Sequence, residues 1–329
     1  MIGPGAELGL LGDIGATNAR FALVRADGSI SNARVYALDD YASLSEVLDA
    51  YLREERPPAR PTRAALAVAS PITSDEVALT NHPWEFSIAA LSKHFGFKQL
   101  HVVNDFAATA LAVPNLAEGD RRQIGSGKPA KNAPVGVIGP GTGLGVGALI
   151  PAPNDAVPLA GEGGHVTMAP ADAQESAILD LMRRRYDHVS AERVLSGPGL
   201  VNLYNALCEL ADAPAASFAP AQITNPRIWN EDPRTREATM IFCAMLGTVA
   251  GNLALTLGAR GGVYIAGGIV PDLGTFFAET EFRKRFEDKG RMRGYLAPIP
   301  TYVITRPLPA LIGAAALLRK RATEGAGQS

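Results

Sequence analysis

Three glycine-rich turns and a few polar residues in unexpected places carry the chemistry this sequence can support. The first turn, GDIGATNAR at 12–20, runs through Gly12, Asp13, Ile14, Gly15, Ala16 and Thr17. A tight strand-to-strand turn needs glycine where φ is positive or where a ligand approaches the backbone. Asp13 would close a strand and face whatever the turn holds; beside phosphate, a lone carboxylate acts mainly through a bound cation such as Mg²⁺. Thr17 and main-chain N–H groups would meet phosphoryl oxygens, although the stretch alone also reads as an ordinary hairpin turn. The second turn, GPGTGLGVG at 139–147, has five glycines in nine residues, with Gly141, Thr142, Gly143 and Gly145 at its centre. Such a run presents successive N–H groups to an anion. It is not a P-loop, because no Lys-Ser/Thr follows, and a strand at 146–150 stands where a dinucleotide fingerprint requires a helix. GSGK at 125–128 fails as well, since Pro129 replaces the hydroxyl that would reach magnesium. In the third turn, IAGGIVP at 265–271, Gly267 and Gly268 let a flat adenine or ribose lie against the backbone, or simply open a helix.

The polar residues form a second group. Asn104 and Asp105 follow the strand HVV and open a helix; Glu162-Gly163-Gly164-His165 follows an apolar run; Glu192 opens the segment ERVLSGPG. Each has a plain structural role open to it. Asp105 suits a helix N-cap, the commoner task for such a residue, and His165 suits a satisfied core position. Glu162 and His165 have the spacing of a helical metal motif, but two intervening glycines disfavour the helix. A sugar site accounts for all of them together. Hexose hydroxyls both donate and accept, so their site needs carboxylates, an amide and an imidazole on rigid turns. One carboxylate must also take the proton of the attacking hydroxyl, while phosphoryl transfer otherwise rests on positioning and charge neutralisation.

The elements that must hold these residues follow from apolar spacing. Runs at 8–11 and 20–25 flank the first turn as a hairpin, with a third strand at 33–38 and a helix at 44–52 that PPARP breaks. A strand at 64–69, an amphipathic segment at 87–95, a strand at 100–103 and a helix at 106–113 follow. Residues 114–134 turn polar and Gly/Pro-rich, as a crossing between domains does. The pattern then restarts: strands at 135–138 and 146–150, helices at 173–186 and 235–257, strands at 262–266 and 302–305, and a helix at 309–321. Strands alternating with helices twice over predict an α/β chain with a mixed, partly parallel sheet in each half. A cleft between such halves is the usual home of a small-molecule site.

Bulk composition narrows the classes. The 329 residues exceed what one core usually supports. Apolar residues at 47% and charged residues at 19% suit a packed enzyme rather than a disordered chain. The net charge of -2, with no Lys/Arg cluster interleaved with aromatics, argues against a nucleic-acid partner; the run Arg183-Arg184-Arg185 reads as a solvated helix face. Cys208 and Cys243 lie far apart in apolar helical contexts, which predicts small buried thiols rather than a disulfide framework or zinc site. The N-terminal MIGPGAELGLLGD lacks the features of a signal peptide, and no uninterrupted apolar run reaches bilayer length. The expectation is a cytoplasmic protein without a membrane partner.

Taken together, GDIGATNARFALV, TNHPWEFS, VVNDFAATALA, GPGTGLGVG, GEGGHVTMAP and ERVLSGPGLVNLY resemble the bacterial glucokinase family, within the hexokinase and actin-like ATPase superfamily. The resemblance runs in order over nearly the whole chain. It implies two actin-like, ribonuclease H-like domains, 1–115 with 307–329 and 116–306, that close over glucose and ATP-Mg²⁺, with the last helix returning to the smaller domain. By that resemblance Asp105 is the base on the sugar 6-hydroxyl, and Asn104, Glu162, His165 and Glu192 are hydroxyl partners. The turns at 12–17 and 141–145 become the two phosphate motifs. Asp13 backs magnesium through water, and a homodimer is implied by likeness alone. Ala16 stands where a second glycine is frequent, which narrows nucleotide approach slightly. Kinases for mannose, fructose or an amino sugar remain open, as does a sugar-sensing regulator that has lost turnover. The cysteine-rich zinc motif of the repressor and kinase family that shares this fold is missing, and no helix-turn-helix precedes the first strand.

Overall fold

The computed structural model describes residues 9–153 and 155–326, with side chains as far as 319. Leu8, the first residue of the expected opening strand, and the rest of the segment read for a signal peptide before it lie outside the described residues. The chain divides into two compact units, Met1–Ala117 with Arg306–Ser329 and Glu118–Thr305.

The first unit contains β1 (Gly9–Ile14), β2 (Asn18–Val24), β3 (Ile30–Ala37), β4 (Arg63–Val68), a small hairpin of β5 (Glu76–Ala78) and β6 (Glu85–Ser87), and β7 (Gln99–Asn104). Its main sheet has the order β3-β2-β1-β4-β7, antiparallel among the first three strands and parallel from β1 to β4 to β7. Successive strand residues point to opposite faces, and both faces of β1 are covered, which is why GLLGDI is apolar almost throughout rather than alternating. Leu10, Phe21 and Leu66 pack with Leu48 and Tyr51 of the helix Leu44–Glu55 and with Leu91 and Phe95 of the helix Ile88–Phe95. On the opposite face, Leu11, Ala22 and Ala65 meet Leu311, Ala314 and Leu318 of the last helix, Pro309–Ala326. Ser43 caps the helix Leu44–Glu55 by accepting from the Glu46 N–H, and Arg56 in a left-handed conformation ends it just before Pro57.

The second unit holds β8 (Arg121–Ile124), β9 (Val135–Pro140), β10 (Leu144–Ala152), β11 (Asp155–Gly161), β12 (Val263–Ile265) and β13 (Thr301–Ile304). The sheet order is β11-β10-β9-β12-β13-β8. An antiparallel β9-β10-β11 meander joins parallel β12 and β13, so the arrangement of the first sheet recurs with β8 added antiparallel at the far edge. Two strands differ from the sequence expectation. Part of the segment read as a domain crossing forms β8, and β11 begins two residues before the apolar run at 157–161. Both are edge strands with exposed residues, so neither carries a continuous apolar signal.

The helix Pro233–Leu257 is long and apolar enough to span a bilayer by composition. Most of it is instead buried in the second unit: Phe242 and Leu246 share a core with Leu200 and Leu203 of the helix Gly197–Leu210 and with Phe282 and Phe286. Its all-round apolar character is that of a core helix. Cys208 and Cys243 are free and buried, and burial pushes the Cys243 thiol up to about 12.

Candidate active site

In the first unit the β1–β2 turn is closed by the Gly15 N–H donating to the Asn18 carbonyl at 2.9 Å. Neither Gly12 nor Gly15 has positive φ, so left-handed geometry is not the reason for glycine. At Gly12 the reason is packing, since a Cβ would stand 2.6 Å from Leu66 Cδ2. Gly15 is the residue on the open side, where a Cβ would meet nothing closer than the Asn18 carbonyl at 3.5 Å. The Ile14 side chain belongs to the core, so only its main chain lies at the turn, and its carbonyl accepts from the Ala69 N–H at 2.9 Å. Ala16 is half-buried; Thr17 is exposed, its carbonyl accepting from Leu38 N–H at 2.9 Å and its Oγ1 from Asn18 Nδ2 at 3.0 Å.

Asp13 is the charged group of this turn. Its side chain is 15% exposed and lies 3.6 Å from the Arg20 guanidinium. Burial pushes the Asp13 carboxyl above the usual carboxylate range, and Arg20 partly opposes that shift. A desolvated carboxylate with one distant cationic partner gains from a further positive charge. The donor set therefore fits a magnesium ion, which keeps several waters and takes few carboxylates.

At the same C-terminal end of this sheet, where Ile14, Val68 and Asn104 lie in one row across the parallel strands, β7 runs into the helix Asp105–Ala112. The cap is Asn104, not Asp105: Asn104 Oδ1 accepts from the N–H groups of Phe106 and Ala107 at 3.0 and 3.1 Å. Asp105 is the first helical residue, half-buried, with Oδ1 accepting from Phe106 N–H at 2.9 Å. A carboxylate here is favoured by the helix dipole. Asn104 Nδ2 reaches the Ser70 carbonyl at 3.5 Å, and buried Ser70 Oγ in turn bonds the Ala78 carbonyl and lies 3.1 Å from Thr80 Oγ1. Thr80, the first residue of TNHPWEFS, thus stands behind the cap through Ser70. Asn104→Ala should cost about 1 kcal/mol of stability, read as a lowered Tm. Asn104→Asp keeps an accepting oxygen and should stay within a few tenths of wild type.

In the second unit the turn between β9 and β10 is Gly141–Gly143, pinned by Gly141 N–H to the Gly143 carbonyl at 2.8 Å. None of its glycines has positive φ; close approach is the cause. A Cβ on Gly143 would overlap Glu192 Oε2, whereas Gly141 has open space where its Cβ would be. Glu192 Oε2 accepts from the Leu144 N–H at 2.8 Å. The two N–H groups at the ends of the turn, those of Gly141 and Leu144, are thus engaged within the protein, which narrows the candidate anion donors of this turn to Thr142 and Gly143.

Glu162 and His165 bracket a single 3-10 turn, Gly163–His165. The side chains are 54% and 52% exposed, with His165 Nε2 3.8 Å from Glu162 Oε2; His165 is not a core histidine. Gly164 packs on the Leu144 carbonyl with no room for a Cβ, and its own carbonyl accepts from Glu192 N–H at 2.8 Å. Glu162, His165 and Glu192 are thereby brought to the second glycine turn. Gly267, with φ +81°, lies against the Pro140 carbonyl, and exposed Gly268 precedes the short helix Ile269–Asp272. The third turn therefore adjoins the second.

Residues not singled out from the sequence complete this cluster. Ser196 caps the helix Gly197–Leu210, accepting from Gly199 N–H at 3.0 Å, and Gly197 N–H donates to the Gly141 carbonyl at 2.8 Å. The Ser-Gly-Pro at a helix start was the available signal.

The glucokinase family model matches residues 10–321. The glucokinase of Aromatoleum aromaticum is 51% identical over 310 residues, covering 94% of each chain. The glucokinase of Nitrobacter hamburgensis is also 51% identical over 310 residues, covering 94% of this chain and 97% of its own length. Among solved structures, the glucokinase from an Antarctic psychrotroph superposes with a TM-score of 0.84 at 38% identity, covering 95% of this chain and 99% of that one. With mixed sheets of the actin-like kinase type in both units and this match over nearly its whole length, the chain belongs to the glucokinase family.

Proposed function

We infer that this chain catalyses the ATP-dependent phosphorylation of glucose to glucose 6-phosphate, with Asp105 as the general base. As the sugar O6 attacks the γ-phosphorus, the bond from that phosphorus to the β–γ bridging oxygen breaks and ADP leaves. Asp105 takes the proton from O6. The observation that carries this assignment is the Asn104 cap: Asn104, backed by the Ser70 carbonyl, accepts from both Phe106 and Ala107 N–H, so the Asp105 carboxylate, which accepts from Phe106 N–H through Oδ1, is not needed as the cap. Asn104, Glu162, His165 and Glu192 are the proposed partners of the sugar hydroxyls. The turns at 12–17 and 141–145 are the proposed phosphate sites, with Thr142 and Gly143 as donors in the second and Gly267 and Gly268 beside the nucleoside. Asp13 would hold Mg²⁺ through water; that ion supplies neutralisation of the charge on the transferring and leaving phosphates. The similarity to the glucokinases of Aromatoleum aromaticum and Nitrobacter hamburgensis supports glucose as the acceptor. We also infer a cytoplasmic location, which the need for ATP supports, two domains bounded as the compact units are, and a homodimer as the assembly to test.

ADP release measured with ATP-Mg²⁺ against glucose, mannose, fructose and glucosamine tests the acceptor. Glucose is expected to give the highest kcat/KM, and a higher value for another hexose would replace it. In the same assay Glu162→Gln should raise the glucose KM by about tenfold, the cost of losing a charged hydrogen-bond partner, with a smaller change in kcat. An unchanged KM would remove Glu162 from the sugar contacts.

A further inference from the structure

Glu192 stands where two elements of the second unit meet. Its carboxylate accepts from Leu144 N–H at 2.8 Å, at the end of the glycine turn. Gly143 is pressed so close to the same oxygen that an added Cβ would overlap it and push the carboxylate aside. Its main chain is tied in the other direction, since Glu192 N–H donates to the carbonyl of Gly164 at 2.8 Å, in the loop from Glu162 to His165. Its carbonyl accepts from Ser196 Oγ at 2.8 Å, and the helix that Ser196 caps holds the Gly141 carbonyl through Gly197 N–H. Glu192 thus touches one flank of the turn and the neighbouring polar loop directly, and reaches the other flank through Ser196 and the helix it caps.

A carboxylate has about four accepting directions. Leu144 uses one, which leaves capacity for sugar hydroxyls. An N–H bonded to a charged acceptor is among the stronger hydrogen bonds, and a turn already fixed loses less freedom when a ligand binds it.

We propose that Glu192 is a positioning residue for the turn 141–144 as well as a sugar partner, so that nucleotide affinity depends on this side chain and is linked through it to sugar binding. The proposal rests on the reading above that this turn holds ATP phosphates and that Glu192 meets the sugar. Linkage is reciprocal: whatever glucose does to nucleotide affinity, nucleotide does to glucose affinity.

The test is steady-state kinetics, varying ATP at saturating glucose and glucose at saturating ATP, with Glu192→Ala, Glu192→Gln and Gly143→Ala. ADP binding by calorimetry, with and without glucose, gives a readout independent of turnover. Glu192→Ala is expected to raise both KM values by about tenfold or more and to abolish the effect of glucose on ADP affinity. Glu192→Gln keeps an acceptor for Leu144 N–H, so its ATP KM should return to within about threefold of wild type while its glucose KM stays high. Gly143→Ala retains the carboxylate but displaces it from Leu144, and should raise the ATP KM and weaken ADP; it carries the test if Glu192→Ala fails to fold. Unchanged ATP KM and ADP affinity in the alanine variants would overturn the proposal, as would a glutamine variant no better than alanine. A raised ATP KM with an unchanged glucose KM would keep the clamp and remove Glu192 from the sugar site, which separates the two readings.

Discussion

Asp105→Ala should lower kcat by about two to four orders of magnitude, the usual contribution of a positioned general base, while glucose still binds. The expectation divides in this way because, in the proposed mechanism, the carboxylate acts on the proton only as O6 attacks, whereas the proposed glucose contacts are shared among Asn104, Glu162, His165 and Glu192. Asp105→Asn keeps size and polarity and should be nearly as impaired, since it cannot take a proton. Stability offers a control: Asn104 supplies the cap, so Tm should change far less than turnover. Calorimetric glucose titration alongside initial rates reads both quantities. Near-normal turnover in either variant would remove the base assignment, and lost glucose binding would make Asp105 chiefly a recognition group.

Gly313→Ala should give the largest loss of stability. The helix Pro309–Ala326 crosses the helix Asp105–Ala112 at this glycine, where an added Cβ would fall well inside contact distance of the Ala108 carbonyl oxygen. The obstacle is backbone of a buried helix and cannot rotate away. Overpacking costs about 1–3 kcal/mol and occasionally more; here the upper end, about 3 kcal/mol, is expected, lowering Tm by about 10 °C. Gly294→Ala, in the short helix Arg293–Leu296 with open space at its Cβ position, is the control and should be neutral or slightly stabilising. Equal melting of the two variants would show that the two helices separate without cost. Because the crossed helix begins at Asp105, the Gly313 variant should also lose activity faster on heating.

Local pattern carried much of the fold. The hairpin around 12–20, the helices near 44–52, 173–186 and 235–257, and the parallel strand at 64–69 were legible because their apolar periodicity is set by burial on one or both faces. Edge strands were not: Arg121–Ile124 and the start of Asp155–Gly161 expose residues to solvent, and Arg121–Ile124 pairs with Thr301–Ile304, far away in the chain. The helix Gly197–Leu210 hid behind Ser-Gly-Pro-Gly, a stretch whose propensities favour a turn until Ser196 caps it.

Residue types and their order were enough to indicate phosphoryl transfer to a sugar: clustered glycines for phosphate, carboxylates with an amide and an imidazole for hydroxyls, and motifs that place the chain among glucokinases. What each residue does to its neighbours was decided only in three dimensions. Asn104 rather than Asp105 caps the helix, Gly12 and Gly143 are glycine for want of space rather than for φ, and Glu192 reaches across from another segment to hold Leu144. Those outcomes turn on which groups come within hydrogen-bond or van der Waals distance, and such short-range terms are set by packing between segments remote in the chain, which spacing along it does not encode.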